Sequence, residues 1–269
     1  MEQLNADAVR HGARTRLLGH SVHYWTEVDS TNAALARLRT AGASEGTVVV
    51  ADAQTAGRGR LGKPWFSPPG VNLHLSVLLT PPLHLSEARL FTLIGSLAIA
   101  DAIESTGVKA QVKWPNDVLV ADKKIAGVLA DVQTHEGQVE WVILGIGINV
   151  NIDRLTIDRL FGEAALGATS LREALGHEVD RAALAARLLE ALEHYYFDFL
   201  SAGSRPLLAE WRRRSFLGRR VRVYEEDMQV EGVALDLDDA GCLVVLLDDG
   251  SSVRVREGEV VPLTEQGKR

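Results

Sequence analysis

The 269-residue chain is 46% hydrophobic and carries 24 glycines, enough apolar content for one large core or one large and one small. Its formal charge of −7, from 29 Lys and Arg against 36 Asp and Glu, argues against a protein that coats nucleic acid. The lone cysteine, Cys242, excludes an internal disulfide framework, and a reducing, cytoplasmic compartment is expected. No signal-peptide core opens the chain, and no run approaches the roughly 18 apolar residues of a membrane span.

A polar leader is expected over 1–20. "VHYWTEV" alternates as a strand, and Ser30 or Thr31 can cap the helix "NAALARLRTAG", which stops at Gly42. "GTVVVADAQT" reads as a buried strand and "VNLHLSVLL" as an alternating one. "SEARLFTLIGSLAIADAIESTG" has a serine cap and helical apolar spacing, which predicts a long, largely buried helix. Short strands follow at "AQVKW", "DVLVAD", "KKIAGVLADVQ" and "QVEWVILGIGINVN", then a second strong helix at "DRAALAARLLEALEHYYFDFLSAG". The order favours an α+β fold with a mixed sheet over alternating βα units, and the main domain is expected over 21–216. From 217 to 263, short strands broken by "DDAG" and "DDGS" turns predict a small β-barrel, with a tail at 264–269. That barrel holds 5 Arg against 11 Asp or Glu, which leaves a protein-docking or lid role open and disfavours nucleic acid.

"QTAGRGRLGKPW" (54–65) satisfies two phosphate-loop patterns and fits neither. A dinucleotide loop needs a helix opening at its third glycine, but "KPWFSPPG" follows Gly62. A P-loop needs Ser or Thr after Lys63, where Pro64 stands. A solvated turn is the plain alternative. Glycines interleaved with Arg58 and Arg60 after a buried strand are better explained as a cradle for an anion. "VKWPNDVLV" places Lys113 at a stiff strand end, although a lysine there is ordinarily just solvated. "GIGINVN" ends an apolar strand in asparagines, which are ordinarily turn residues. The eight histidines show no metal-ligand spacing.

"STN" (30–32), "QTAGRGR" (54–60), "KWPND" (113–117), "KIAGVL" (124–129) and "GIGINVN" (145–151) stand in the order and spacing of biotin protein ligases. The resemblance spans 21–263. It implies a central mixed sheet related to class II aminoacyl-tRNA synthetases and an SH3-like barrel. It also implies ligation of biotin, through biotinyl-5′-AMP formed from ATP with Mg²⁺, to a lysine of a biotin carboxyl carrier domain.

By motif position, the family's biotin-binding set falls on Ser30, Thr31, Asn32, Gln54, Gly57, Arg58, Gly59, Arg60, Ser76 and Lys113. The nucleotide set falls on Arg58, Arg60, Trp65, Lys113, Asn116 and Asn149. Lys113, Arg58 and Arg60 are the catalytic candidates, and no residue is assigned to metal. As bare residues, Trp65 reads as core, Asn149 as a turn and Ser76 as an ordinary strand serine. Like charges about 4 Å apart repel by about 4 kcal/mol at an effective dielectric of about 20, so bringing a carboxylate against polyphosphate requires fixed cations.

The sequence departs from the family at Lys63, where an arginine is usual, so a bidentate phosphate contact is in doubt there. The 152–171 segment is expected to cover the adenylate. A winged helix needs roughly 60 residues and only about 20 precede the first strand, so DNA binding is not expected. Lipoate ligases share the chemistry, but "GRGR" with "KWPND" is the biotin-type pattern, and the retained cations disfavour a mere biotin-binding module. A homodimer is compatible with the sequence.

Overall fold

β-Branched runs such as Val48-Val49-Val50 become strands because helices bury them from one or both sides. The computed structural model describes residues 4–225 and 228–263, so the tail expected at 264–269 lies outside the described residues. The chain opens with α1 (Ala6–Gly12), β1 (Val22–Val28), α2 (Thr31–Thr40), β2 (Val48–Gln54), β3 (Leu73–Leu79) and α3 (Leu90–Glu104). It continues through β4 (Gln111–Lys113), β5 (Asp117–Val120), β6 (Lys123–His135) and β7 (Gln138–Ile148). These seven strands form one sheet in the order β1-β2-β3-β7-β6-β5-β4. Only β1 and β2 run parallel; every other neighbouring pair is antiparallel, so the expected mixed sheet is present.

β3 shows how the two faces divide. Its odd residues, Leu73, Leu75, Val77 and Leu79, join the main core with α3 and with α6 (Arg181–Ala202). Its even residue Leu78 packs with Leu35, Val49 and Ile143 on the α2 side. The sequence alternates, but all seven residues are buried, because α2 packs on the face that alternation would leave open, through Leu35 on Leu78 and through Thr31 and Asn32 on Ser76.

Along the chain, α4 (Arg154–Phe161) and α5 (Leu171–Leu175) come between β7 and α6, and α7 (Ser204–Arg214) follows. The remaining strands, β8 (Arg220–Glu225), β9 (Met228–Leu237), β10 (Leu243–Leu246), β11 (Ser252–Val255) and β12 (Glu259–Pro262), form an antiparallel sheet ordered β11-β10-β9-β8-β12, consistent with an SH3-like module. This module is riveted to the main sheet. Trp114 is fully buried and its indole donates to the Gly241 carbonyl at 3.0 Å, while Val221, Leu243 and Val245 share the main core.

Three local expectations change. The polar leader contains α1, capped by the Asn5 side chain, and it buries Leu4, Val9 and Leu18. The serine expected to cap α3 does not do so: His84 caps a short 3₁₀ turn at Leu85–Glu87, and Ser86 bonds to that histidine ring. Ser30 stands at the α2 N-cap without a side-chain cap bond, and Gln54 Oε1 accepts the Thr31 N–H at 2.8 Å.

Candidate active site

One register row crosses the sheet. Ala51, His74, Gly147, Gly127, Asp117 and Lys113 stand opposite one another on successive strands. Directly opposed residues point to the same face. The two central glycines therefore make a trough, and the Trp65 indole lies in it. A Cβ on Gly147 would come within 2.4 Å of Trp65 Cε2, so only glycine admits the ring. In the next row, a Cβ on Gly145 would come within 2.1 Å of Asn32 Oδ1.

At one end of the trough Lys113 Nζ lies 3.6 Å from Asp117, whose carboxylate also pairs closely with Lys124. Lys124 Nζ is in turn 5.7 Å from the Trp65 ring centroid, within cation–π range. Two lysines thus flank one carboxylate, which leaves net positive charge beside an aromatic plate.

At the other end is a polar nest. Ser76 Oγ, fully buried, sits 2.7 Å from Thr31 Oγ1 and 2.6 Å from Asn32 Oδ1. Asn32 Nδ2 donates to Asp131 at 2.9 Å, and Gln54 Nε2 donates to Ser67 Oγ at 3.0 Å. Ser30, Thr31, Asn32 and Gln54 line a cleft of about 300 Å³ together with Lys113 and Trp65. Ser76 and Gly57 stand behind that wall. Ser76 orients Thr31 and Asn32 from below, and a Cβ at Gly57 would strike the Trp65 carbonyl at 2.5 Å, so its role is to let the loop close.

The glycine loop is a small hairpin. Gly59 N–H donates to the Lys63 carbonyl at 2.7 Å and Trp65 N–H to the Gly57 carbonyl at 2.9 Å, with Leu61 and Gly62 at positive φ in the tip. Its three cations diverge rather than converge on one point. Arg58 reaches Asp131 at 3.3 Å, Arg60 donates to the Gly258 carbonyl at 3.1 Å, and Lys63 pairs with Glu259 at 2.6 Å. At Lys63, where the sequence departs from the family, the structure shows a contact with the C-terminal module. Burial pulls the Arg60 pKa below its ordinary value, opposed by the nearby Asp117, Glu257 and Glu259 charges.

Both remaining asparagines are structural ties as well as lining groups. Asn116 Nδ2 donates to the Val128 carbonyl at 2.7 Å, and Asn149 Nδ2 to the Thr169 carbonyl at 3.1 Å. Phe161 at the end of α4 meets Phe66 with ring centroids 5.2 Å apart, so the 152–171 segment reaches the rim of the glycine loop. Sequence reading missed Lys124, Asp131, Gly258 and Glu259. Lys124 was within a quoted motif and carried a signal; the other three are distant in sequence and carried none.

Comparison with known proteins follows the same lines. The Biotin/lipoate A/B protein ligase family matches residues 24–149, and the Biotin protein ligase C terminal domain matches 216–261. The bifunctional ligase/repressor BirA of Bacillus spizizenii is 35% identical over 250 residues, covering 92% of this chain and 76% of that protein. The biotin–[acetyl-CoA-carboxylase] ligase of Mycobacterium tuberculosis is 35% identical over 255 residues, covering 89% of this chain and 90% of that protein. This chain belongs to the biotin protein ligase family. Among solved structures, the biotin protein ligase from Aquifex aeolicus in complex with biotin and ATP superposes with a TM-score of 0.75 at 31% identity, covering 90% of this chain and 97% of that one. Among the described residues, no helix is long and apolar enough to cross a membrane.

His74 adds a pH dependence to this face of the sheet. Burial, assisted by the Arg181 charge and opposed by Asp52, lowers its pKa to about 4. The unfolded chain protonates its histidines near 6.5. This group's stabilisation is therefore complete above about pH 6.5 and is lost as pH falls towards 4, at up to about 1.4 kcal/mol per pH unit. Urea midpoints measured from pH 7 to 4 should fall more steeply for the parent than for His74→Gln. Parallel curves would contradict the assignment.

Proposed function

We propose that this chain is an ATP-dependent biotin protein ligase that activates biotin as biotinyl-5′-AMP and transfers it to one lysine of a biotin carboxyl carrier domain. The observation that carries this reading is the single cleft in which Lys113, the Trp65 trough and the Ser30–Thr31–Asn32–Gln54 nest meet. An apolar acid with a polar head suits the nest, and a planar base suits the trough.

The chemistry runs in two balanced steps. A biotin carboxylate oxygen attacks the α-phosphorus of ATP, the bond to the bridging oxygen breaks, and pyrophosphate leaves. The carrier lysine amine then attacks the acyl carbon, AMP leaves, and the amine proton passes to solvent or to the departing phosphate. Lys113 would neutralise both anions in the first step. Arg58 can reach the ligand by exchanging Asp131, which already faces the nest, for the incoming carboxylate or phosphate. Trp65 would stack on adenine, with Asn149 and Asn116 fixing the strand ends around it.

Among the described residues, no group of three His, Cys, Asp or Glu side chains could hold a metal ion. The carboxylate between Lys113 and Lys124, Asp117, is already paired. Magnesium would enter with ATP as part of the substrate. A carboxylase carrier domain is the acceptor we assign, and the cytoplasm, where ATP is supplied, is the compartment that suits the chemistry.

Exchange of labelled pyrophosphate into ATP tests the first step. It should require biotin and should not occur with lipoate; exchange with lipoate alone would overturn the substrate assignment. Trp65→Ala should weaken ATP binding by about 1–3 kcal/mol, the worth of one stacked base, and leave biotin binding nearly unchanged. Calorimetry showing that only biotin affinity falls would move Trp65 to the other end of the cleft.

A further inference from the structure

Asp131 does not line the cleft, yet two residues that do are tied to it. Its carboxylate accepts from Asn32 Nδ2 at 2.9 Å and from Arg58 at 3.3 Å. The two ties differ in strength. The Arg58 and Asp131 side chains are 56% and 36% exposed and share one long bond, so that pair contributes little and can open. Asn32 is buried, and a bond from its amide to a carboxylate is roughly twice as strong as a neutral one.

These partners leave Asn32 one orientation. A carboxylate only accepts, so the amide nitrogen faces Asp131 and the amide oxygen faces Ser76 Oγ, 2.6 Å away. An amide oxygen carries no proton. The single Ser76 hydroxyl proton therefore goes to Asn32 and not to Thr31 Oγ1 at 2.7 Å. The Thr31 hydroxyl then points its own proton inward, to Ser76 Oγ or to Gln54 Oε1 at 3.2 Å. A lone pair of Thr31 is left for the cleft that this residue lines.

Gln54 needs no such anchor. Its Oε1 is fixed by the Thr31 backbone N–H at 2.8 Å, one Nε2 proton goes to Ser67 at 3.0 Å, and the other remains to donate. The nest thus offers one acceptor, at Thr31, and one donor, at Gln54. A ligand that carries an N–H beside a carbonyl, as a cyclic urea does, matches both.

We propose that Asp131 is a positioning residue that, through Asn32 and Ser76, makes Thr31 a hydrogen-bond acceptor at the polar end of the cleft. Asp131 touches no substrate. Without it, Asn32 can turn its amide over, Ser76 can donate to Thr31, and Thr31 loses its accepting face. The proposal rests on the reading that this nest takes the head of biotin.

Amide spectra of the ligand-free protein test the orientation. One Asn32 side-chain proton should lie downfield and exchange slowly with water. Both features should vanish in Asp131→Leu and persist in Asp131→Asn, whose amide oxygen still accepts. An Asn32 amide indifferent to Asp131→Leu would overturn the proposal. Steady-state pyrophosphate exchange reads the consequence. Asp131→Leu should raise KM for biotin about tenfold, the value of one hydrogen bond, with kcat and the ATP KM within twofold of the parent. Asp131→Asn should return the biotin KM most of the way. Both variants remove the charge that holds Arg58, so the difference between them belongs to Asn32. Equal biotin KM values in the two would overturn the positioning role. A parent protein that exchanges with lipoate and not with biotin would overturn the substrate reading instead, and the Asn32 spectra, taken without ligand, tell the two failures apart.

Discussion

Lys113→Ala is expected to slow biotin-dependent pyrophosphate exchange by roughly 10²–10³, the cost of one preorganised charge contact. The protein should remain folded, because Asp117 keeps Lys124 as a partner when Lys113 is removed. Lys113 is only 18% exposed and stands in the register row that holds the trough, so water cannot replace it as an equivalent cation at that point. Lys113→Arg should recover less than its charge suggests, since a planar fork replaces a point charge beside the indole. An exchange rate unchanged in Lys113→Ala, with the thermal unfolding curve of the parent, would remove the lysine from the chemistry.

Arg60→Gly is expected to keep making the acyl-adenylate and to lose it to solvent. The sequence places Arg60 in a glycine-rich cradle for an anion. In the structure it already bridges the loop to the C-terminal module through the Gly258 carbonyl. Only glycine fits at 258: it has φ +143, and a Cβ there would sit 2.4 Å from the Tyr224 carbonyl. Lys63 adds a second tie to Glu259 next door, but both partners are about half exposed, so its worth is no more than about 1 kcal/mol. Removing Arg60 deletes the partly buried, charge-assisted tie, worth about 1.5–3 kcal/mol. Adenylate dissociation should therefore quicken by roughly 10- to 100-fold. A mixed anhydride set free acylates any amine, so lysines of bystander proteins should be biotinylated. Mass spectrometry of a mixture of carrier domain and an unrelated protein reads this directly. Label confined to the carrier, with the parent's dissociation rate, would contradict the retention role.

Much of this could be read from the chain because the signals were local. The Val48–Val50 run, the alternation around Ser76 and the turn chemistry after residue 237 each act within a few residues, and all became strands or turns. α1 and α7 escaped notice because their composition is polar or arginine-rich and they are helical mainly through packing, with Val9, Leu207, Leu208 and Trp211 as anchors. At the site, the glycines and cations were visible but their directions were not. A register row that aligns Lys113 with Gly127, Gly147 and His74 depends on strand pairing across five strands, which no local pattern encodes. The partner of Lys63 lies 196 residues away, so no local pattern shows that this lysine also ties the glycine loop to the C-terminal module.

The most direct test of the account is transfer of labelled biotin to a purified biotin carboxyl carrier domain. With ATP and magnesium present, one biotin should be attached per carrier, on a single lysine, with AMP and pyrophosphate released in equal amounts, and replacing that lysine with arginine should abolish labelling. A carrier that stays unlabelled while the chain binds biotin and ATP, or one that takes up lipoate in place of biotin, would contradict it.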